Sequence, residues 1–135
     1  MDKTQINAKI REKQKAIDDF EDDIKQLKKK LDDLDDLMEK MKNIKKGVTD
    51  SQTMHNSKIS QVESLTTNTR ITGPYSSGMR SLVKTKSASA LNGIDNAIKR
   101  IGQKTDNIED DIKNIKKKMN KLEDEIDDLK AQLRR

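Results

Sequence analysis

The sequence of 135 residues contains no cysteine and one histidine, His55. The lack of cysteine excludes disulfide bonds, thiol catalysis and cysteine-based zinc sites. His55 has no second metal ligand or nucleophile near it in the sequence, so neither a metal site nor a catalytic site is indicated there. We therefore expect a protein that is not an enzyme and that binds no cofactor.

Aromatic residues are almost absent, with one phenylalanine, one tyrosine and no tryptophan. Only 30% of the residues are apolar, whereas 39% are charged. A compact globule with two packed layers needs more apolar surface than this, but a coiled coil needs only a narrow apolar stripe. Disorder is the alternative at such low hydrophobicity. The regular spacing of the apolar residues favours the coiled coil instead.

Long apolar runs are also missing. No stretch approaches 18 apolar residues, and the first residues, Met1 to Thr4, begin no apolar region of a signal peptide. We predict neither a membrane span nor a signal peptide. The expected location is the cytoplasm, and export would need another route.

The net charge of +5 is concentrated in the middle of the chain. Residues 1–48 carry 13 basic and 12 acidic side chains, and residues 91–135 carry 11 and 10. The middle contributes +3, from Lys58, Arg70, Arg80, Lys84 and Lys86 against Asp50 and Glu63. A mildly basic region is weak evidence for an anionic partner. Without stacking aromatic residues, nucleic-acid binding is not predicted.

Apolar residues recur at positions a and d of a heptad over six heptads in each half of the chain, interrupted only by Lys13 and Lys45 in the first half and by Thr105 in the second. We call these two rows the apolar seam. Its members in the first half are Ile6, Ile10, Ile17, Phe20, Ile24, Leu27, Leu31, Leu34, Met38, Met41 and Val48. Those in the second half are Leu91, Ile94, Ile98, Ile101, Ile108, Ile112, Ile115, Met119, Leu122, Ile126, Leu129 and Leu133. Such long repeats predict coiled-coil helices.

The segment 20–31 recurs almost unchanged at 108–119, and this repeat suggests how the two helices align. If the helices run antiparallel, opposing seam residues have numbers that sum to 139, as Phe20 and Met119 do. The same register predicts five pairs of opposite charge: Glu21 with Lys116, Lys28 with Glu109, Asp23 with Lys118, Lys30 with Asp111, and Lys42 with Asp95. A parallel homodimer of either half could also pair its charges.

The predicted fold is all-α, a single long antiparallel two-helix coiled-coil hairpin over residues 1–135. Its first arm is expected at about 4–66, its bend at about 67–74 and its second arm at about 75–134. Gly73 and Pro74 form a favourable turn dipeptide within that bend. Because Gly47 and Gly93 nearly face each other in the 139 register, we also expect a bend or local unwinding there.

Two acidic blocks, Asp32–Asp36 and Glu123–Asp128, could suggest calcium. Calcium loops need a sharp turn that brings the ligands together, so we interpret both blocks as solvated helix faces. Leu37 and Ile44 differ, because they occupy g positions where a two-helix coil expects charge. They widen the apolar stripe of the first helix. Either they pack at the edge of the seam, or they provide a docking face for further helices.

The predicted bend resembles that of one known family. Ile71-Thr72-Gly73 stands where WXG-superfamily proteins of Gram-positive type VII secretion have Trp-x-Gly, and Ser76 and Met79 follow where that family has a small and a large apolar residue. Ile71 replaces the tryptophan, and the Tyr-x-x-x-Asp/Glu export signature is missing. The chain looks most like the longer YwqH-like members, which resemble partner or targeting proteins of LXG-domain toxins.

This resemblance implies a chaperone-like accessory protein that binds the helical N-terminal domain of an LXG effector, alone or with a second small helical protein. A partner protein would then supply any export signal for co-secretion. The candidate interface residues are Leu37, Ile44, Ile71, Gly73, Tyr75, Met79, Leu82 and Val83. The alternative is a self-associating coiled coil, such as a homodimer, that acts as a scaffold. Binding of nucleic acid through the basic middle region is a third hypothesis.

Overall fold

The structure, a computed structural model, describes the backbone of residues 1–65 and 69–135 and the side chains of residues 1–64 and 73–135. Two α-helices, α1 (Lys3–Leu65) and α2 (Thr69–Arg134), pack against each other. No strand occurs among these residues. The predicted all-α fold of two packed helices is therefore confirmed.

Helix α1 begins with a reciprocal cap. The backbone N–H of Gln5 donates to Asp2 Oδ1 at 2.8 Å, and the backbone N–H of Asp2 donates to Gln5 Oε1 at 3.1 Å. The first backbone bond of the helix follows, from the N–H of Ile6 to the carbonyl of Asp2. This capping box satisfies N–H groups that would otherwise lack a partner at the helix start.

The serine- and threonine-rich second half of α1 is helical, and three of its hydroxyls bond to backbone carbonyls about one turn earlier. Thr49 Oγ1 donates to the carbonyl of Lys45, and Thr53 Oγ1 donates to the carbonyl of Thr49. Ser64 Oγ similarly donates to the carbonyl of Gln61. Such bonds keep the hydroxyls from competing for the helical N–H groups.

The start of α2 differs from the prediction. The helix begins at Thr69, so Gly73 and Pro74 lie inside it rather than in a bend at 67–74. Pro74 is the sixth residue of α2, so its fixed φ is compatible with the helix but its missing N–H removes one backbone hydrogen bond of the second turn. Residues 67 and 68, at the start of the expected bend, lie outside the described residues, as do residue 66 and the side chain of Ile71.

The chain divides into two compact units. Unit 1 comprises Met1–Leu34 and Gln103–Arg135. Its two helix segments run antiparallel, and Ile24, Ile108 and Ile112 form a buried cluster between them. The half-buried residues Leu27, Leu31, Leu34, Ile115 and Met119 pack against this cluster. All eight belong to the predicted seam, so apolar side chains alone fill this part of the core.

Unit 2, Asp35–Gly102, contains a less regular core. Ile59, Ile94 and Ile101 are buried in it. The expected local unwinding at Gly47 and Gly93 is not present, since both are helical and neither has a positive φ. Open space surrounds both glycines where a Cβ would stand. Neither glycine is therefore needed for close packing or for an unusual backbone conformation.

Candidate partner-binding groove

Large apolar side chains are exposed almost entirely in unit 2. Apart from Met1, the exposed large apolar residues among the described side chains are Leu37, Ile44, Met54, Val62, Tyr75 and Leu82. Tyr75 is 57% exposed and Ile44 is 52% exposed. Scattered exposed apolar residues are ordinary, but a contiguous group indicates an interaction site.

Most of these side chains border one groove between α1 and α2, which we call the unit 2 groove. Its volume is about 740 Å³. The α1 side is formed by Ile44, Gly47, Val48, Ser51, His55, Lys58, Ile59 and Val62, and the α2 side by Tyr75, Met79, Leu82, Val83, Lys86, Ser87 and Ala90. The walls are mainly aliphatic, as in grooves that accept an amphipathic helix.

The groove is open because small or polar residues interrupt the apolar seam at this level. His55 continues the d row of α1, and Ser87 continues the d row of α2. Both line the groove, together with Ser51 and Gly47. Small or polar side chains at these places cannot fill the space between two helices as isoleucine and leucine do in unit 1. The apolar residues around them are consequently left partly uncovered.

The structure brings together five of the eight residues predicted at a partner interface: Ile44, Tyr75, Met79, Leu82 and Val83. Leu37 instead borders a separate shallow depression in unit 2, with Met41 and Ala97. Gly73 is exposed and does not line the groove, and the side chain of Ile71 lies outside the described residues. The predicted residues therefore do not all belong to one surface.

Sequence reasoning missed Val48, Val62 and Ala90 as groove residues. Val62 is exposed and Val48 is half-buried, although both occupy d positions of α1. The available signal was the polar substitution at His55, which lies between them on the same row. A seam interrupted by a polar residue leaves its apolar neighbours without full cover.

The charges around the groove have one sign. Lys58 on α1 and Lys86 on α2 both line it, and no carboxylate does so among the described residues. Neither lysine belongs to an ion pair within the described part of the chain. Two nearby acids of unit 2 are already engaged, since Asp95 pairs with Lys45 and Glu63 pairs with Arg80. The groove is thus apolar with basic walls.

Arg80 links the two helices of unit 2 at one end of the groove. Its Nε donates to Glu63 Oε1 at 3.1 Å, and its Nη2 donates to Ser60 Oγ at 2.8 Å. The hydrogen bond from Arg80 and the charge of its guanidinium lower the pKa of Glu63 below its ordinary value. This contact holds α1 and α2 together beside Val62 and leaves the groove itself uncovered.

The residues predicted to set the helix register are in unit 1. Met119 packs against the buried cluster, and Phe20 is half-buried. Glu21, Lys28, Glu109 and Lys116 are all exposed, and none of them belongs to an ion pair among the described residues. The expected pairs Glu21 with Lys116 and Lys28 with Glu109 are therefore not formed.

The remaining predicted charge pairs also need correction. Asp95 pairs with Lys45 at 2.8 Å rather than with Lys42, because Lys45, nearly one turn further along α1, reaches across the seam. Asp23, Lys30, Asp111 and Lys118 surround one depression in unit 1 without forming ion pairs. On such exposed surfaces, solvation of long charged side chains competes with pairing.

Other chemistry has little support in the described residues. They contain no group of three or more histidine or acidic side chains arranged to hold a metal ion. Neither described helix has a stretch apolar enough to cross a membrane. No protein-family model, curated protein or solved structure matches the chain. The groove is therefore the feature on which a functional proposal can rest.

Proposed function

We propose that the protein is a non-enzymatic accessory protein that binds a helix of a partner protein along the unit 2 groove. The observation that carries this proposal is the concentration of exposed apolar side chains on one open groove between two helices. Laying an amphipathic helix into such a groove buries these side chains and turns a pair of helices into a three-helix arrangement.

For the partner, we propose the helical N-terminal domain of an LXG-type effector of type VII secretion. This choice rests on the sequence resemblance of Ile71-Thr72-Gly73, which lies inside α2 and not in a bend, to the Trp-x-Gly of WXG-superfamily proteins. The two packed helices are compatible with it, and the five groove residues from the predicted interface support a helix-binding role. In this proposal the protein acts in the cytoplasm as a chaperone-like targeting factor, and the effector carries the export signal.

Co-expression with the N-terminal region of a neighbouring LXG effector tests the proposal. We expect one complex on size-exclusion chromatography, and we expect Ile44→Ser combined with Leu82→Ser to abolish it. Met54→Ser is a matched control, because Met54 is 48% exposed but does not line the groove. If the two proteins elute separately, this partner is wrong. A complex that survives the double substitution would place the interface elsewhere.

Self-association as a scaffold is the competing function. A second copy could also cover the exposed apolar side chains of unit 2. Light scattering of the isolated chain distinguishes the two functions. A monomer supports partner binding, whereas a stable dimer that is lost with Ile44→Ser and Leu82→Ser supports the scaffold.

A further inference from the structure

The charge and length of the unit 2 groove indicate what kind of helix it accepts. We propose that the occupant is an acidic amphipathic helix of about five turns, whose carboxylates pair with Lys58 and Lys86. This inference rests on the proposed function, because it assumes that a helix binds in the groove. It adds the chemistry of the partner, which the fold alone leaves open.

The length of the groove matches a helix of moderate size. Its α1 side extends from Ile44 to Val62, and its α2 side extends from Tyr75 to Ala90. At 1.5 Å per residue these segments are about 27 Å and about 22 Å long. A helix of about 15 to 18 residues therefore covers the full groove. Such a helix contributes about four or five apolar anchors at the spacing i, i+3, i+4 and i+7.

The charges define the flanks of that helix. One ammonium group lies on each wall, Lys58 on α1 and Lys86 on α2, and both side chains are exposed. Arg80 contacts Ser60 across the two helices, which places Lys86 about one turn from Lys58 along the groove. An occupant with a carboxylate on each flank of its apolar face can therefore pair with both lysines at once. Charges of one sign at an interface choose partners more than they add affinity.

The same charges act against a second copy that presents its own groove. Two copies placed groove to groove would bring four lysines together, with no groove carboxylate among the described residues to offset them. Like charges brought together across an interface suppress the wrong partner. An acidic helix from another protein removes this repulsion and covers the same apolar side chains.

Two designed peptides of about 18 residues test the inference on the full-length chain. They share leucines at the apolar positions, but one carries glutamates and the other lysines on both flanks. With fluorescently labelled peptides, we expect the acidic peptide to bind about tenfold tighter at low salt, since two exposed charge pairs contribute to the difference. This preference should shrink strongly at about 0.5 M salt, where exposed charges are screened.

Charge-reversed protein supplies the control. Lys58→Glu combined with Lys86→Glu should reverse the preference between the peptides, while Lys84→Glu, an exposed lysine that does not line the groove, should leave it unchanged. Equal binding of both peptides would overturn the acidic-partner inference and leave helix docking in place. If neither peptide binds, both the inference and the groove as the docking site are wrong.

Discussion

Lys13 Nζ donates to Glu125 Oε2 at 2.6 Å and joins the two helices of unit 1 at a heptad position where α1 lacks an apolar residue. Both side chains are partly covered, with 28% and 36% of their surfaces exposed. The lysine stem can pack along the seam while its ammonium group reaches the carboxylate. A polar interruption of the seam thus becomes an interhelical contact.

The contribution of this ion pair to the stability of the fold should depend on pH. The hydrogen bond from Lys13 and the lysine charge lower the pKa of Glu125 in the folded protein below its ordinary value of 4.5. The stabilisation is therefore fully present above that value and is lost as the pH falls through the lower folded pKa. Glu125→Gln should lower the melting temperature at neutral pH, and this difference should shrink as the pH falls below 4.5.

Thermal unfolding followed by circular dichroism measures this difference. Glu123→Gln is the matched control, because Glu123 is exposed and belongs to no ion pair among the described residues. Its effect at neutral pH should be smaller. A difference between wild type and Glu125→Gln that persists at low pH would contradict the assigned role of the carboxylate.

Arg80 in unit 2 should not be replaceable by lysine. Its guanidinium bonds both Glu63 and Ser60, and a lysine ammonium cannot reproduce this planar, forked geometry. Arg80→Lys should therefore lower the melting temperature although the charge is kept. Lys84→Arg serves as the reverse control and should change it little. Equal melting temperatures for wild type and Arg80→Lys would show that the two hydrogen bonds of the guanidinium add no stability beyond that of its charge.

Buried and exposed isoleucines should differ sharply in their effect on stability. Ile108 is 5% exposed and belongs to the buried cluster of unit 1, so Ile108→Ala should lower the free energy of unfolding by about 2 to 5 kcal/mol. Ile44 is 52% exposed, and Ile44→Ala should change it by less than about 0.5 kcal/mol. Urea denaturation measures both. A large decrease in the free energy of unfolding for Ile44→Ala would mean that this side chain stabilises the fold and is not available to a partner.

The glycines in the helices of unit 2 should be replaceable with a gain in stability. Gly47→Ala and Gly93→Ala should each raise the free energy of unfolding by about 1 kcal/mol, because a Cβ meets open space and the backbone is helical at both positions. Ala88→Gly, at an exposed position in α2, should lower it by a similar amount. Destabilisation by either alanine would indicate that the glycine it replaces is required for a bend in its helix.

The sequence by itself determined the two helices and the members of the core in unit 1. Ile24, Ile108 and Ile112 could be identified because apolar residues recur at heptad spacing without a gap over residues 17–34 and 108–133. The start of α2 was less predictable, since Gly73 and Pro74 are typical of turns but lie within the second turn of the helix in the structure. Local residue preferences could not choose between these two outcomes.

Only the tertiary structure decided which charges pair and where the groove lies. Exposed lysines reach several carboxylates at similar cost, so heptad position alone did not select Lys45 over Lys42 as the partner of Asp95. The unit 2 groove depends on how α1 and α2 pack around His55 and Ser87, where the apolar repeat fails. A heptad pattern specifies which face of each helix is buried, but the space left by a poorly filled seam depends on both helices together.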